Sequence, residues 1–167
     1  SEMCIRDRQN SVYVRMLEDV LKKKEHLLRD ILERTREQEA LLKQEELDQE
    51  RFHEILEEKG RWIEALNEMD EGFDTLFAKV ESEIRSHKDQ YKENIQRMQK
   101  SIVIVSEYGM KIQALENQNS ERLKAYLSAE RKKIREYHMN SQTASRYYRN
   151  MTNTHIPEQS FYFNQKK

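Results

Sequence analysis

The residues that could carry catalytic or metal-binding chemistry are scattered along this chain. The sequence contains no His-Glu-x-x-His motif, no glycine-rich phosphate loop and no nucleophile elbow. Acidic pairs such as Glu57-Glu58 are typical of a solvated helix face, and a single cysteine excludes a four-cysteine zinc site. No ligand spacing links the five histidines, which are His26, His53, His87, His138 and His155. We therefore predict that the protein is not an enzyme and has no metal or cofactor site.

The composition favours long helices. The 167 residues include 30 Lys and Arg against 31 Asp and Glu, and 37% are charged, but there are only 3 Gly and 1 Pro. Because tight turns draw on glycine and proline, a fold that needs many turns is excluded. No apolar run approaches the roughly 20 residues that span a membrane, and the N-terminal residues lack the apolar core of a secretory signal. We expect a cytoplasmic protein without membrane insertion.

Three amphipathic stripes must position any functional surface. Apolar residues recur at steps of three and four from Leu17 to Leu42, from Phe52 to Ile84 and from Tyr91 to Ile134. Polar residues interrupt the seam of a simple coiled coil, namely Lys24, Thr35, Gln38 and Lys59. The pattern predicts an all-α fold, an elongated antiparallel three-helix bundle of long amphipathic helices. We place this bundle at residues 12–138, with helices at about 12–44, 48–85 and 88–138.

Two polar breaks separate the predicted helices. Glu45 and Gln49 fall where the first stripe expects core residues, so we predict a turn there, with Asp48 as the N-cap of the second helix. The alternative is one continuous helix with a solvated patch. The second break follows Ile84, where Ser86 and Asp89 weakly resemble a capping box.

Both ends of the chain differ from the bundle. Residues 1–8 resemble translated sequencing adapter, with an ordinary frayed N-terminus as the alternative, and we expect residues 1–11 to be disordered or artefactual. Residues 139–167 form a basic, aromatic C-terminal tail, predicted to be extended or a short helix. Residues 131–167 hold eight Lys and Arg against two Glu, whereas residues 33–71 hold fourteen acids against six bases. The near-neutral total therefore combines an acidic middle with a basic end.

The basic tail raises the question of nucleic-acid or membrane binding. Its cations and aromatic side chains, such as Tyr147 and Phe161, could neutralise phosphates, stack on bases or meet anionic lipid headgroups. The whole chain nevertheless has a net charge of -1 and contains no recognisable nucleic-acid module. We predict no nucleic-acid partner and no stable membrane insertion.

Two short motifs resemble a known family. Glu58-Lys59 precedes Trp62-Ile63 and Leu66, and Leu115-Glu116-Asn117-Gln118-Asn119 precedes Leu123. These motifs resemble the FlgN-type flagellar type III export chaperones, over roughly residues 12–135. The chain end, with Tyr147-Tyr148-x-x-Met151, resembles the variant of this family found in Gram-positive anaerobes.

The resemblance implies an export chaperone that binds hook–filament junction (hook-associated) proteins before secretion. Its partners would be these proteins and the export gate, and we consider a homodimer alongside the monomer. Such a chaperone covers an apolar helix of its client and needs no catalytic group. The predicted partner-binding residues are Leu115, Asn119, Leu123, Tyr126, Leu127, Ile134, Tyr147 and Met151. The alternative is a structural, self-associating coiled-coil adaptor that has no client.

Overall fold

The predicted fold class is confirmed. The computed structural model describes residues 2–131, 146, 147, 149 and 150, and this part of the chain contains no β-strand. Its three long helices pack against one another as a three-helix bundle. They are α1 (Glu2–Leu42), α2 (Gln49–Ser86) and α3 (Lys92–Ala129).

The first break lies where the sequence places it. Residues 43–48 are non-helical, and the backbone N–H of Arg51 donates to the Asp48 carboxylate at 3.0 Å. Asp48 is therefore the N-cap of α2, because its side chain pairs one of the backbone N–H groups that the first helical turn leaves free. Arg51 also donates to Glu37 of α1 at 2.8 Å, which ties the start of α2 to the end of α1.

The second break also exists, but its chemistry differs from the expected capping box. Residues 87–91 form a turn, and α3 begins at Lys92 rather than near residue 88. The backbone bonds His87 N–H to Glu83 O and Tyr91 N–H to His87 O carry helix-like pairing through this turn. The Ser86 and Asp89 side chains make no capping bond within the described residues, and the backbone bond from Ile95 N–H to Tyr91 O continues the pairing into the first turn of α3.

The helix ends differ from the prediction at both extremes. Helix α1 begins at Glu2, so residues 2–11, which we expected to be disordered or artefactual, are helical. Gln9 donates to the Tyr13 hydroxyl at 3.0 Å one turn further on. Helix α3 ends at Ala129 and a turn follows at residues 130 and 131, short of the predicted end near 138. Of the tail at 139–167, only residues 146, 147, 149 and 150 are described, and their backbone is helical.

The chain divides into two compact units, each built from a part of all three helices. The first unit comprises the described residues of Ser1–Leu27 and Leu66–Glu107, and the second comprises those of Leu28–Ala65 and Tyr108–Thr154. The turn between α2 and α3 belongs to the first unit, and the turn between α1 and α2 belongs to the second.

The core of the first unit is mostly apolar. Phe73 and Phe77 stack with ring centroids 6.0 Å apart, among further buried residues that include Val14, Leu17, Leu21, Val80, Ile84, Met98 and Ile102. One ion pair is buried at the edge of this core, between Lys24 of α1 and Asp70 of α2. Glu18 of α1 accepts a hydrogen bond from Asn94 of α3 at 3.0 Å. Side-chain packing and a few charged contacts therefore join the three helices here.

The core of the second unit combines apolar and polar layers. Its buried apolar residues include Leu28, Ile31, Phe52, Ile55, Leu56, Ile63, Ile112 and Leu123. Helix α1 runs antiparallel to α2, since Thr35 and Glu37 contact Lys59 and Arg51 respectively. It runs parallel to α3, since Thr35 and Glu39 contact Asn119 and Arg122. Three of the four polar residues that interrupt the predicted stripes lie inside this packing, namely Thr35, Gln38 and Lys59, whereas Lys24 belongs to the first unit.

Candidate partner-binding site

Lys59 lies at the centre of a densely hydrogen-bonded site in the second unit. It belongs to α2 and its side chain is fully buried. Its Nζ donates to Thr35 Oγ1 at 3.1 Å, to Gln38 Oε1 and to Glu116 Oε1. A lysine ammonium has three N–H donors, so every one of them has an acceptor here.

These bonds are required by the burial of the charge. Transferring an isolated ammonium from water to a protein interior costs several kcal/mol of free energy. Only good pairing with a counter-charge and hydrogen-bond acceptors recovers a comparable amount. Burial lowers the pKa of Lys59 below its ordinary value, whereas the charge of Glu116 and its hydrogen bond act in the opposite direction. Lys59 and Glu116 therefore form a buried ion pair that depends on the neighbours that enclose it.

Two side chains connect this ion pair to the helix backbones. The Thr35 hydroxyl lies 2.7 Å from the Ile31 carbonyl oxygen and 3.1 Å from Glu116 Oε1, and its single proton can serve one of them at a time. Asn119 of α3 donates to the Thr35 carbonyl oxygen at 3.0 Å. This carbonyl bond fixes the position of α3 along α1, since a shift of one residue would break it.

Tyr147 completes the site from outside the three long helices. Its hydroxyl donates to Glu116 Oε1 at 2.8 Å, and its ring centroid lies 4.2 Å from Lys59 Nζ. This distance is that of a cation–π contact. Tyr147 is 3% exposed, so the ring covers the ammonium and the hydroxyl covers the carboxylate. We call Thr35, Gln38, Lys59, Glu116, Asn119 and Tyr147 the Lys59 cluster.

Two polar atoms of the Lys59 cluster have no partner among the described residues. They are Nε2 of Gln38 and Oε2 of Glu116, both fully enclosed. A buried donor or acceptor left without a partner costs about 1–3 kcal/mol. The cluster is therefore well bonded around Lys59 Nζ and incompletely bonded at its margin.

The eight predicted partner-binding residues have different surroundings. Asn119 and Leu123 are buried in the second unit, and Tyr147 is buried against Lys59 and Glu116. Leu115, Tyr126 and Leu127 are half-buried. Ile134 and Met151 lie outside the described residues. The structure thus brings Tyr147 next to the α3 residues, and the role of all eight in partner binding stays a prediction.

The partly accessible residues lie on two adjacent sides of α3. Leu115 and Tyr126 are eleven residues apart, which is close to three helical turns, so they lie on the same side of the helix. The Tyr126 hydroxyl accepts a hydrogen bond from Gln49 of α2 at 3.0 Å, which holds its ring at the side of the bundle. Leu127 follows on the adjacent side. This face offers apolar area beside the Lys59 cluster.

The sequence already indicates that some residues of the Lys59 cluster occupy core positions. Thr35, Gln38 and Lys59 interrupt the apolar stripes, and Glu116 lies between the apolar positions Leu115 and Leu123. Polar residues at core positions signal a buried network, because an unpaired polar group there would destabilise the fold. The spacing within each helix does not identify the partners, which lie on three different helices.

Other site types find no support within the described residues. No three His, Cys, Asp or Glu side chains in that part of the chain gather closely enough to hold a metal ion. None of its helices combines the length and apolar character that crossing a bilayer requires. Comparison with known protein families, with curated proteins and with solved structures gives no match to the chain.

Proposed function

We propose that this protein is a cytoplasmic export chaperone that binds hook-associated proteins before flagellar type III secretion. One observation supports this function best. The second unit already accommodates helical residues from outside its three long helices, with Tyr147 seated against the ion pair of Lys59 on α2 and Glu116 on α3. Binding one amphipathic helix between others is the helix-in-groove mode of recognition. The client class comes from the resemblance of residues 12–135 to FlgN-type chaperones.

The client surface would be the half-buried face of α3 beside the Lys59 cluster. Leu115 and Leu127 present apolar area there, and Tyr126 adds a ring with a polar end. Covering such area with a client helix stabilises a complex by about 25 cal/mol per Å² of apolar surface removed from water. The same contact hides the client's apolar helix, which prevents premature assembly. Reversible binding of this kind uses no catalytic group.

A charge placed on this face tests the proposal. Leu127→Lys would bury an unpaired ammonium in the complex, and we expect the affinity for a purified hook-associated protein to fall at least tenfold, about 1.4 kcal/mol. Isothermal titration calorimetry with the full chain measures the dissociation constant. Far-UV circular dichroism checks that the helices persist.

The neighbouring residue provides a matched control. Ser128 is exposed, so Ser128→Lys adds the same charge one position along α3 without burying it. We expect this variant to bind like the unaltered chain. Equal affinities for Leu127→Lys and Ser128→Lys would show that the client does not use this face, and an unaltered chain that binds no hook-associated protein would overturn the proposed function.

A second function, the self-associating structural adaptor, has one observation in its favour. Ile5, Val12 and Met16 are exposed apolar residues, 66%, 44% and 47% respectively, and their spacing of seven and four places them on one side of α1. Such a side could pair with a second copy of the chain. Light scattering separates the two functions, because the adaptor requires a stable oligomer together with no binding of the hook-associated protein.

A further inference from the structure

Among the described tail residues, Tyr147 is the buried side chain that contacts the ion pair of the second unit. Among the described residues of this segment, Tyr147 is buried, whereas Arg146 and Arg149 are exposed. The bonds of Tyr147 reach the ion pair itself, through its hydroxyl to Glu116 and its ring to Lys59. The segment therefore covers the buried charges of Lys59 and Glu116, and Tyr147 is the side chain that packs against them.

The chemistry of this slot matches tyrosine. Lys59 presents a cation to the face of the ring, and Glu116 presents a carboxylate to the hydroxyl. A phenylalanine would keep the ring contact and lose the hydroxyl bond, and an aliphatic side chain would lose both. The pair of charges thus discriminates between aromatic and aliphatic side chains and, among aromatic ones, favours a phenol.

Seating Tyr147 also has an unfavourable consequence. With Tyr147 seated, the Lys59 and Glu116 side chains are 0% and 3% exposed, and Glu116 Oε2 and Gln38 Nε2 are enclosed without partners among the described residues. When the tyrosine leaves, water can reach these groups and recover part of the desolvation cost. Rehydration offsets the lost tyrosine contacts and brings the seated and unseated states closer in free energy.

We propose that the described residues 146, 147, 149 and 150 belong to a displaceable plug, and that the slot against the Lys59–Glu116 ion pair is a recognition site for a tyrosine on a partner helix. Tyr147 occupies the slot until such a helix replaces it. The Lys59–Glu116 ion pair therefore contacts Tyr147 in the free protein and the tyrosine of the partner helix in the complex. The inference rests on the proposed function, because the slot adjoins the face of α3 assigned to the client.

A peptide added in trans tests the slot directly. The probe is a labelled synthetic peptide of residues 140–155, and the two receptors are the full chain and its Tyr147→Ala variant. A tethered segment competes at an effective concentration far above that of an added peptide. By fluorescence anisotropy we expect the peptide to bind the Tyr147→Ala chain at least tenfold more tightly than the unaltered chain.

Matched changes in peptide and receptor distinguish binding in the slot from non-specific binding. A peptide carrying Tyr147→Ala should lose the binding, and one carrying Tyr147→Phe should lie between, although both keep Tyr148. In the Tyr147→Ala chain, adding Glu116→Gln should weaken binding at least tenfold. Adding Glu121→Gln, the same change at an exposed position of α3, should leave the binding unaltered.

The folding of the receptor is checked independently. Far-UV circular dichroism reports the helices, and the single tryptophan, Trp62, lies one turn from Lys59 on α2 and reports the second unit. If Tyr147→Ala does not fold, Tyr147→Phe takes its place as receptor, with an expected gain in peptide affinity of severalfold. Equal peptide affinity for the unaltered chain and the folded variant, or binding to neither, overturns the plug.

The plug and the proposed function fail in different ways. If a hook-associated protein binds but Tyr147→Ala leaves its affinity unaltered, the plug is overturned and the chaperone function survives. If the peptide prefers the Tyr147→Ala chain but no hook-associated protein binds, the chaperone function is overturned and the plug survives.

Discussion

Among the described residues, each of the two units buries one lysine, and the surroundings of the two lysines differ. In the first unit Lys24 pairs with Asp70, whose side chain is 13% exposed, at the edge of a core of stacked and aliphatic side chains. In the second unit Lys59 pairs with Glu116, whose side chain is 3% exposed, and the pair is joined to all three helices and to Tyr147. The ion pair of the first unit reaches water at Asp70, whereas the ion pair of the second unit is almost completely enclosed.

The two units therefore hold their helices together by different kinds of contact. Apolar packing in the first unit tolerates shape changes of similar volume, because its contacts have no direction. The Lys59 cluster demands particular donors and acceptors on each helix, because any missing partner leaves a buried charge. The second unit thus gains a defined register and a site that responds to what covers it. Both proposals place binding in this unit for that reason.

Removing each lysine should reveal the largest contrast between the units. We expect Lys59→Met to lower the free energy of unfolding by about 3–5 kcal/mol, because Glu116 stays buried without its counter-charge. Lys24→Met should have a smaller effect, since the Asp70 carboxylate lies closer to water and can be hydrated. Urea denaturation followed by circular dichroism measures both.

A double variant shows whether the loss comes from the stranded charge. Lys59→Met with Glu116→Gln removes both charges, and we expect it to recover most of the stability that Lys59→Met loses, since a buried ion pair is often replaceable by neutral groups. If the double variant is no more stable than Lys59→Met, the loss reflects packing instead. Equal losses for Lys59→Met and Lys24→Met would remove the contrast between the units.

The sequence predicts the helices better than it predicts this contrast. Periodicity identifies which side of each helix is buried, and the confirmed Asp48 cap follows from a local pattern over a few residues. The bonds of Lys59 depend on side chains 21 and 57 residues away along the chain. Periodicity can show that Lys59 faces a core, but it cannot specify that Gln38 and Glu116 lie opposite.

The helix ends were harder to predict for a related reason. Polar residues after Ile84 indicate a break, yet the turn at residues 87–91 keeps helix-like backbone bonds and delays α3 to Lys92. Near the N-terminus the predicted apolar stripe begins only at Leu17, so it does not predict that the backbone of residues 2–11 is helical. The apolar pattern does not fix these ends, whereas the Asp48 side chain marks the start of α2.

The two turns allow a smaller test of the same kind. The turn in the second unit relies on the Asp48 side chain, whereas the turn in the first unit relies on backbone bonds. We expect Asp48→Ala to lower the free energy of unfolding by about 0.5–2 kcal/mol. Asp89→Ala should change it by less than about 0.5 kcal/mol, because Asp89 is exposed. Urea denaturation compares the two, and similar losses would mean that Asp48 does not cap α2 in solution.

Alkaline pH should affect the two units in opposite directions. Burial lowers the pKa of Lys59 in the second unit below 10.5. Just below pH 10.5 the unfolded chain therefore binds more protons at this residue, and its contribution makes the protein more stable as pH rises. In the first unit, burial, helped by Glu83 and Asp7, raises the pKa of Tyr91 above 10.0. Just above pH 10.0 the native chain binds more protons at Tyr91, so its contribution makes the protein less stable as pH rises.

Single substitutions separate these opposing contributions. Tyr91→Phe removes a buried hydroxyl that has no partner among the described residues, so we expect little loss of stability at neutral pH and a weaker alkaline decline above pH 10.0. Lys59→Met removes the stabilising contribution and should steepen the decline near pH 10.5. Urea denaturation at a series of pH values gives the slopes. If both variants shift the slope in the same direction, the two groups are not titrating from the environments described, since lowered lysine and raised tyrosine pKa values require opposite signs.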